Sequence, residues 1–245
     1  MIVGVGAVLP SGLRLHSPLL HLPSALAGVV DGPDLGPWLK RKKDLRLLAR
    51  AAVLALPAAG AALGGLALDM EELGLFVAIG REPPDEGEAE ASLAAMETAG
   101  ALDRAKLGGE GRALYPPLLP LRTLPNLVLA HVAIQYGIRG ENACLAGGEA
   151  AGASVWDAAN AALAAGRCSA ALVGAAYSAV DLASARDRLR LGLAGPPGEA
   201  AVFVVLTAPT ERPGVDVRAW MEQVGDVGPV LALLGAVGFA GKVSG

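Results

Sequence analysis

The stretch "NACLAGGEAAGAS", residues 142–154, decides how this chain folds. A short apolar run ends at the glycine pair Gly147 and Gly148, and a run of small residues typical of a tightly packed helix follows. This order predicts a strand that turns sharply into a helix, and we call this turn the elbow. Glu149 is the only charged residue of the stretch, and it lies at the elbow.

The composition indicates one folded domain, residues 1–245, with a sizeable core. Of the 245 residues, 53% are hydrophobic and 18% are charged. Because 20 Lys and Arg stand against 24 Asp and Glu, the net charge is −4, and no overall basic field attracts nucleic acid or anionic lipid. The motifs of the chain predict no metal and no cofactor.

The cysteines and the N-terminus bear on the compartment. Cys144 and Cys168 lack metal-type spacing, so we expect two buried thiols in a reducing compartment. The first residues have no basic segment before their apolar run, which predicts no secretory signal and a cytoplasmic protein. Residues 51–68 carry no charge, but they include Pro57 and are mostly Ala and Gly. They predict a buried helix followed by a turn rather than a membrane span.

Hydrophobic periodicity predicts strands that alternate with helices. Besides the short strand before the elbow, buried strands are expected at residues 2–8, 73–80, 169–177 and 200–206. Helices are expected after the elbow, from near Asp44 to about Leu56, over 126–138, and over 88–102 within the acidic segment 81–112. This order predicts an α/β fold with a mostly parallel mixed sheet and helices on both faces.

Several of these segments together resemble the N-terminal half of the β-ketoacyl synthases, members of the thiolase-like superfamily. The opening "VGVGAVLPSG" is similar to that family's first strand and the turn after it. Residues 115–154 are similar, without a gap, to the stretch from the family's dimer-interface loop to its nucleophile elbow, and "LVGAAY" and "GEAAVFVVL" match its next strands. The residues that keep register in the central block are Asn126, His131, Gly137, Arg139, Gly140 and Gly152. The fold that this resemblance implies is a thiolase-like half.

Glu149 stands where the resemblance places the family's cysteine nucleophile. The family's pattern Ala-Cys-x-x-Gly reads Gly-Glu-Ala-Ala-Gly over residues 148–152. Backbone N–H groups and the helix dipole at such an elbow favour an anion, whether thiolate or carboxylate. A carboxylate that attacked a thioester would form a reactive anhydride, so we expect no acyl loading at Glu149.

The remaining nucleophile and base candidates are interpreted as structural. The family uses two histidines from its C-terminal half, and we expect this chain to end before that half is complete. His131, on the helix before the elbow, is predicted to make a structural hydrogen bond, whereas His16 and His21 are predicted to be solvated. Cys144 lies inside the strand before the elbow and is predicted to pack there rather than to act as a displaced nucleophile.

The resemblance also implies a partner. In the family the elbow helix, residues 150–165 here, is buried between two similar halves, so one half alone would leave it open on one side. We therefore expect an obligate partner, either a second copy or a complete ketosynthase. Residues 210–245 are either a divergent cover for this helix or a remnant of the second half.

Two surfaces are candidate contact sites. The resemblance places Leu118 and Leu119 in the loop that reaches the partner's acyl tunnel, where they either line that tunnel or pack in an ordinary interface. It places Arg41 and Lys42 where the family docks its acidic acyl carrier protein, although a plain solvated helix start fits these residues too.

Three functions are compatible with these features. The first is a non-catalytic ketosynthase-like subunit, similar to the chain-length factors that pair with an active ketosynthase in type II polyketide, aryl-polyene or fatty-acid-type biosynthesis. The second is an enzyme that decarboxylates a malonyl thioester at the modified elbow, although the charge of Glu149 would repel the malonyl carboxylate. The third is a structural homo-oligomer, because fold does not fix function.

Overall fold

The computed structural model describes residues 1–16, 19, 25–80, 86–115, 117, 118, 124, 126–193, 195–211 and 225–236. Nine strands run through these ranges: β1 (Ile2–Val8), β2 (Leu13–Leu15), β3 (Leu26–Gly28), β4 (Leu73–Ile79), β5 (Glu97–Thr98), β6 (Ala101–Leu102), β7 (Asn142–Ala146), β8 (Ala170–Ser178) and β9 (Glu199–Leu206). The α-helices in the same ranges are α1 (Arg50–Leu63), α2 (Glu86–Ala95), α3 (Arg104–Gly108), α4 (Glu110–Leu114), α5 (Leu127–Tyr136), α6 (Glu149–Ala164), α7 (Leu182–Arg190) and α8 (Val230–Ala236).

A five-stranded mixed sheet in the order β1-β9-β8-β4-β7 forms the centre of the fold. Parallel pairing joins β4 to both β7 and β8, and Val77 of β4 lies opposite Cys144 and Gly174. Strand β9 pairs antiparallel with β8 and with β1. The predicted mixed α/β sheet is confirmed, with its parallel part at the end that carries the elbow.

Helices cover both faces of this sheet. Side chains alternate along the strands, so that Leu75 and Phe203 face one apolar cluster while Phe76 and Val204 face another. Helices α1 and α5 pack on the first face, and α6 and α8 pack on the second. The core is therefore one sheet between two helical layers.

Glycine in β1 lets α1 approach the sheet closely. A Cβ at Gly4 would collide with the carbonyl oxygen of Ala62, and a Cβ at Gly6 would collide with that of Ala58. The small residues of α1 and β1 thus replace the large side chains that separate a helix from a sheet in most cores.

The predicted strands and the helix before the elbow are confirmed to within two residues at their ends. The burial expected for residues 2–8 is wrong, because β1 is the end strand of the sheet, where only Gly6 is buried and Val5 is 49% exposed. The helix expected from Asp44 to Leu56 is wrong in its bounds. Residues Lys42–Leu47 form a 3₁₀ helix, Leu48 and Ala49 are extended, and α1 begins only at Arg50. The hydrophobic spacing did not reveal this break, since the buried residue of the 3₁₀ helix is Asp44, whereas Leu45, which the spacing placed on the apolar face, is 52% exposed.

The proline in α1 lies inside the helix. Pro57 is buried in the middle of α1, which continues to Leu63 before a turn. A proline lacks the N–H that would bond to the carbonyl oxygen one turn earlier in the helix. The prediction of a buried helix and turn over 51–68 is confirmed. No helix in the described ranges is long and apolar enough to span a membrane.

The single helix predicted over residues 88–102 is also wrong. Helix α2 ends at Ala95, and β5 and β6 form a hairpin whose two turn residues, Ala99 and Gly100, both have positive φ. Two positive φ values in sequence suit a tight hairpin, and they cannot continue a right-handed helix.

The C-terminal helix α8 packs on the elbow helix α6. Val230, Leu233 and Leu234 are fully or almost fully buried, and they share an apolar cluster with Val155 and Trp156 of α6. Helix α8 therefore covers one side of α6. Another side of α6 remains exposed along Ala150, Ser154, Asp157 and Ala161, as expected of a helix that a partner could cover.

Candidate functional site

The elbow lies at the carboxyl end of the parallel strands. The backbone N–H of Gly147 donates to the carbonyl oxygen of Ile79 in β4 (2.9 Å), and the chain then leaves the sheet. Gly148 occupies the N-cap position of α6 and has no side chain to cap the helix. Glu149 is the first helical residue, so the predicted turn from strand to helix is confirmed.

The carboxylate of Glu149 lies at the exposed start of a 16-residue helix. The first N–H groups of a helix lack partners within the helix, and the helix dipole is positive at this end. An anion is therefore electrostatically favourable at this position. The structure shows where Glu149 lies, while its equivalence to the nucleophile position remains a prediction from resemblance.

A half-buried tyrosine, which the sequence did not reveal, lies next to the elbow. The ring of Tyr177 in β8 fills the space that a side chain at Gly80 would occupy, and Gly80 directly follows Ile79. Burial raises the pKa of Tyr177, so this phenol is neutral at physiological pH. A glycine directly after a fully buried strand was the available signal that something packs close to this edge.

An ion pair lies beside this tyrosine. Arg188 of α7 bonds the carboxylate of Asp226 (2.5 Å), and both side chains lie mostly out of solvent. Gly228, two residues later, packs under the ring of Tyr177. Sequence reasoning missed this pair because its members are far apart in the chain and belong to no motif.

The basic residues near position 41 are anchored to α5. Arg41 bonds Asp44 in an ion pair (3.0 Å), and Asp44 also accepts a hydrogen bond from Gln135 (3.3 Å). The hydrogen bond from Arg41, more than that from Gln135, lowers the pKa of Asp44 against the opposing effect of burial. Arg41 and Lys42 are both exposed. The segment around Arg41 and Lys42 is thus a basic surface that is held in place on α5. The positive charge of Arg41 is partly neutralised by Asp44.

The two cysteines lie on the sheet and do not form a disulfide with each other. Cys144 is half-buried in β7, and desolvation raises its pKa to about 11, which keeps it a protonated thiol at neutral pH. Cys168 is buried before β8, and burial raises its pKa as well. The prediction that Cys144 packs in the strand is confirmed, although it is less deeply buried than expected.

The histidines have separate environments. The Nε2 atom of His131 lies 3.1 Å from the carbonyl oxygen of Leu47, which confirms the predicted structural hydrogen bond. Burial, more than any other effect, lowers the pKa of His131. His16 is half-buried rather than fully solvated, because it lies where the β2–β3 ladder ends. His21 lies outside the described residues.

The predicted interface loop is described only in part. Leu118 is exposed, whereas Leu119 lies outside the described residues. Other exposed apolar side chains before the elbow are Leu124 and Ile134. In the ranges that the structure describes, no three His, Cys, Asp or Glu side chains are grouped to hold a metal ion.

The sheet, its two helical layers and the strand-to-helix elbow define a ketosynthase-like protein of the thiolase-like class. The chain belongs to the β-ketoacyl synthase family, because the family model "Beta-ketoacyl synthase, N-terminal domain" matches residues 40–204, more than half of its length. No curated protein matches the chain.

Solved structures share this fold at low sequence identity. A ketosynthase in complex with its type II polyketide synthase acyl-carrier protein, bound to the hexaketide, is 18% identical with a TM-score of 0.62, over 84% of this chain and 61% of that one. The ishigamide ketosynthase/chain length factor is 22% identical with a TM-score of 0.58, over 86% and 63%. A β-ketoacyl synthase from Burkholderia phymatum is 16% identical with a TM-score of 0.60, over 84% and 58%. The chain thus spans about three fifths of the length of these proteins.

Proposed function

We propose that this chain is a non-catalytic ketosynthase-like subunit, similar to a chain-length factor, which pairs with an active ketosynthase in the cytoplasm. The pathway class is type II polyketide, aryl-polyene or fatty-acid-type biosynthesis. The observation that carries this proposal is the identity of the residue at the elbow, where Glu149 begins α6 directly after Gly148. The fold similarity to the ishigamide ketosynthase/chain length factor supports the same function.

The chemistry of Glu149 argues against acyl transfer by this chain. A thiolate at a helix start is a strong nucleophile whose acyl product is a stable thioester. The same N–H groups stabilise the negative charge of a carboxylate at this place. Its acyl product, however, is an anhydride that water hydrolyses. The elbow therefore keeps its preference for an anion without keeping a group that can store an acyl chain.

Neither cysteine of the chain takes the place of the family's cysteine nucleophile. Cys144 lies five residues before Glu149, inside β7, and its pKa of about 11 leaves almost no thiolate at neutral pH. Cys168 lies at the other end of the sheet, where it packs under Gly74 at the start of β4. Neither sulfur is a substitute nucleophile at the elbow.

A partner surface is supported by the end of the sheet that carries the elbow. Strand β7 is the last strand of the order and forms its ladder with β4. Ala143 and Leu145 are only half-buried, and Ile134 on α5 is 57% exposed. Half-buried apolar side chains on the last strand of a sheet, and an exposed apolar residue on a helix of the opposite face, are typical of a protein interface. We expect the active ketosynthase to cover this edge.

The basic segment supports contact with an acyl carrier protein. Lys40, Arg41, Lys42, Lys43 and Arg46 place five positive charges within seven residues. Asp44 neutralises part of this field through Arg41, but Lys42 and Lys43 remain exposed. Carrier proteins are acidic, so such a surface would steer them toward the complex. One of the similar structures is itself a ketosynthase in complex with its acyl-carrier protein.

Co-expression with the ketosynthase encoded nearest to this chain tests the pairing. We expect the two chains to copurify as a stoichiometric complex by affinity capture and size exclusion. Leu118→Arg should weaken capture, whereas Leu189→Arg, a matched exposed leucine on α7, should not. Separate elution of two folded chains would contradict the proposal.

An acyl-transfer assay separates the subunit from an enzyme. Purified chain is incubated with malonyl and acyl carrier protein and then analysed by intact mass and by carbon dioxide release. We expect neither an acyl adduct nor release above background. A covalent adduct would refute the non-catalytic function. Release that is altered by Glu149→Gln would support the decarboxylase instead.

A further inference from the structure

The segment 225–236 presses on the first turns of the elbow helix. A Cβ at Gly152 would collide with the carbonyl oxygen of Pro229, and Ala232 lies against the same point. Gly152 is one turn after Glu149, and the buried side chains of α8 continue this contact toward Trp156. The position of the segment therefore limits where the start of α6 can lie.

Asp226 ties this segment to the body of the fold through its backbone. Its N–H donates to the carbonyl oxygen of Pro196 (3.0 Å), and its own carbonyl oxygen accepts from the N–H of Gly198 (3.0 Å). Gly225 has a φ of 85° and no room for a side chain against Pro197. The start of the segment, Gly225 and Asp226, is thus held against residues 196–198.

The side-chain carboxylate of Asp226 accepts two further hydrogen bonds, one from α7 and one from the turn that follows Asp226. Its Oδ2 atom accepts from Nη1 of Arg188 (2.5 Å), and its Oδ1 atom accepts from the N–H of Gly228 (2.8 Å). The second hydrogen bond holds the turn that places Pro229 against Gly152. One side chain therefore joins α7, the turn and the contact with α6.

Arg188 has an incomplete set of partners. It is 5% exposed, and its Nη2 atom has no hydrogen-bond partner in the described part of the chain. Tyr177 also makes a side-chain hydrogen bond with Arg188, and Asp181 lies within electrostatic range of Tyr177. Burying an ion pair costs desolvation free energy that its attraction offsets only in part, so this pair is weak evidence for a role in stability alone. A role in fixing geometry accounts for it better.

We infer that Asp226 is a positioning residue for the elbow. It holds the segment 225–236 in place, and through Pro229 and Gly152 the segment sets the position of the first turn of α6. This inference does not depend on the proposed function, since it concerns how the elbow is held and not what the elbow does.

Hydrogen exchange measured by mass spectrometry on the full chain tests the inference. In Asp226→Ala, amides of residues 150–156 and 227–236 are expected to exchange roughly tenfold faster, while those of α1 stay unchanged. Asp157→Ala, which removes an exposed acid from α6 itself, is the matched control and should leave all three regions unchanged. Arg188→Met should reproduce the effect of Asp226→Ala.

Several outcomes would overturn the inference. Faster exchange in 227–236 without a change in 150–156 would show that the segment does not position the elbow. Equal acceleration in α1 would show that Asp226 serves only global stability. If Asp226→Ala does not fold, Asp226→Asn, which keeps an oxygen for Gly228 and removes the charge facing Arg188, is measured against the same criteria.

Discussion

Glu199 and Arg50 form a two-point ion pair inside the fold. The Nε and Nη2 atoms of Arg50 donate to the two carboxylate oxygens of Glu199, at 2.9 and 2.6 Å. Glu199 is fully buried and also accepts from the N–H of Val30 and from the hydroxyl of Ser178, both at 2.9 Å. The carboxylate thus joins the start of α1, the end of β8 and the loop after β3 that contains Val30.

Glu199→Gln is expected to destabilise the fold strongly. Removing one charge leaves the guanidinium of Arg50 without its counter-ion, and the loss should be about 3 kcal/mol because Arg50 is partly solvated. Chemical denaturation at pH 7 measures this difference. Glu141→Gln removes a more exposed ion pair, with Arg167, and should cost at most about 1 kcal/mol. Equal losses in the two variants would contradict the prediction.

The sequence predicted the elements that periodicity encodes. Fully buried strands such as β4 and β9 consist of continuous apolar runs, and glycines mark the elbow at its exact place in the chain. Helix ends were harder to predict from the sequence. Leu48 and Ala49 have extended backbone dihedral angles, and their side chains do not indicate this break in the helix. The hairpin at Ala99 was missed since Ala-Gly is not a strong turn signal.

The surroundings of the elbow could be predicted only in part. Glu149 could be identified from the sequence because it lies within a continuous motif. Tyr177, Arg188 and Asp226 come together from a strand, a helix and a loop, and no spacing rule links them. The cover of α6 by α8 depends on the contact of Gly152 with Pro229, which is a property of packing and not of either segment alone.

The fold should lose stability below neutral pH through His131. Burial lowers the pKa of His131 below its ordinary value of 6.5, so the unfolded chain takes up this proton at a higher pH than the folded chain does. The stabilisation is therefore fully present above pH 6.5 and is lost as pH falls toward the folded-state pKa. Denaturation at pH 7.5 and 5.5 should show a larger drop for the parent chain than for His131→Asn. Identical drops would mean that other groups account for the pH dependence.

Gly152→Ala should disturb the contact between α6 and the segment 225–236. The added methyl group collides with the carbonyl oxygen of Pro229, and neither backbone can move without breaking other contacts. We expect a loss of about 1–3 kcal/mol in the free energy of unfolding. Gly32→Ala is the control, because Gly32 is exposed, a Cβ there meets nothing within 4 Å, and the change should stay within about 0.5 kcal/mol. A neutral Gly152→Ala would show that the segment yields easily.

Cys144 should react slowly with alkylating agents in the folded chain. Its pKa of about 11, against an ordinary value of 9.0, lowers the thiolate fraction at pH 8 about 100-fold. Iodoacetamide labelling followed by peptide mass spectrometry measures the rate in the folded chain and in denaturant, with Cys168→Ala to isolate the signal. Rapid labelling of the folded chain at pH 8 would show that the thiol is more available than its burial allows.

A thiol placed at the elbow should be more acidic than a thiol elsewhere on the same helix. Glu149 and Ser154 are both exposed on α6, but Glu149 lies at its start and Ser154 lies in its second turn. The unpaired N–H groups and the helix dipole act within the first turn, so the thiol of Glu149→Cys should have a pKa lower than that of Ser154→Cys by about half a unit or more. The pH dependence of alkylation, in a Cys144→Ala and Cys168→Ala background, gives both values. Equal pKa values would mean that the elbow does not stabilise an anion, and the electrostatic reason for an acid at this position would fail with it.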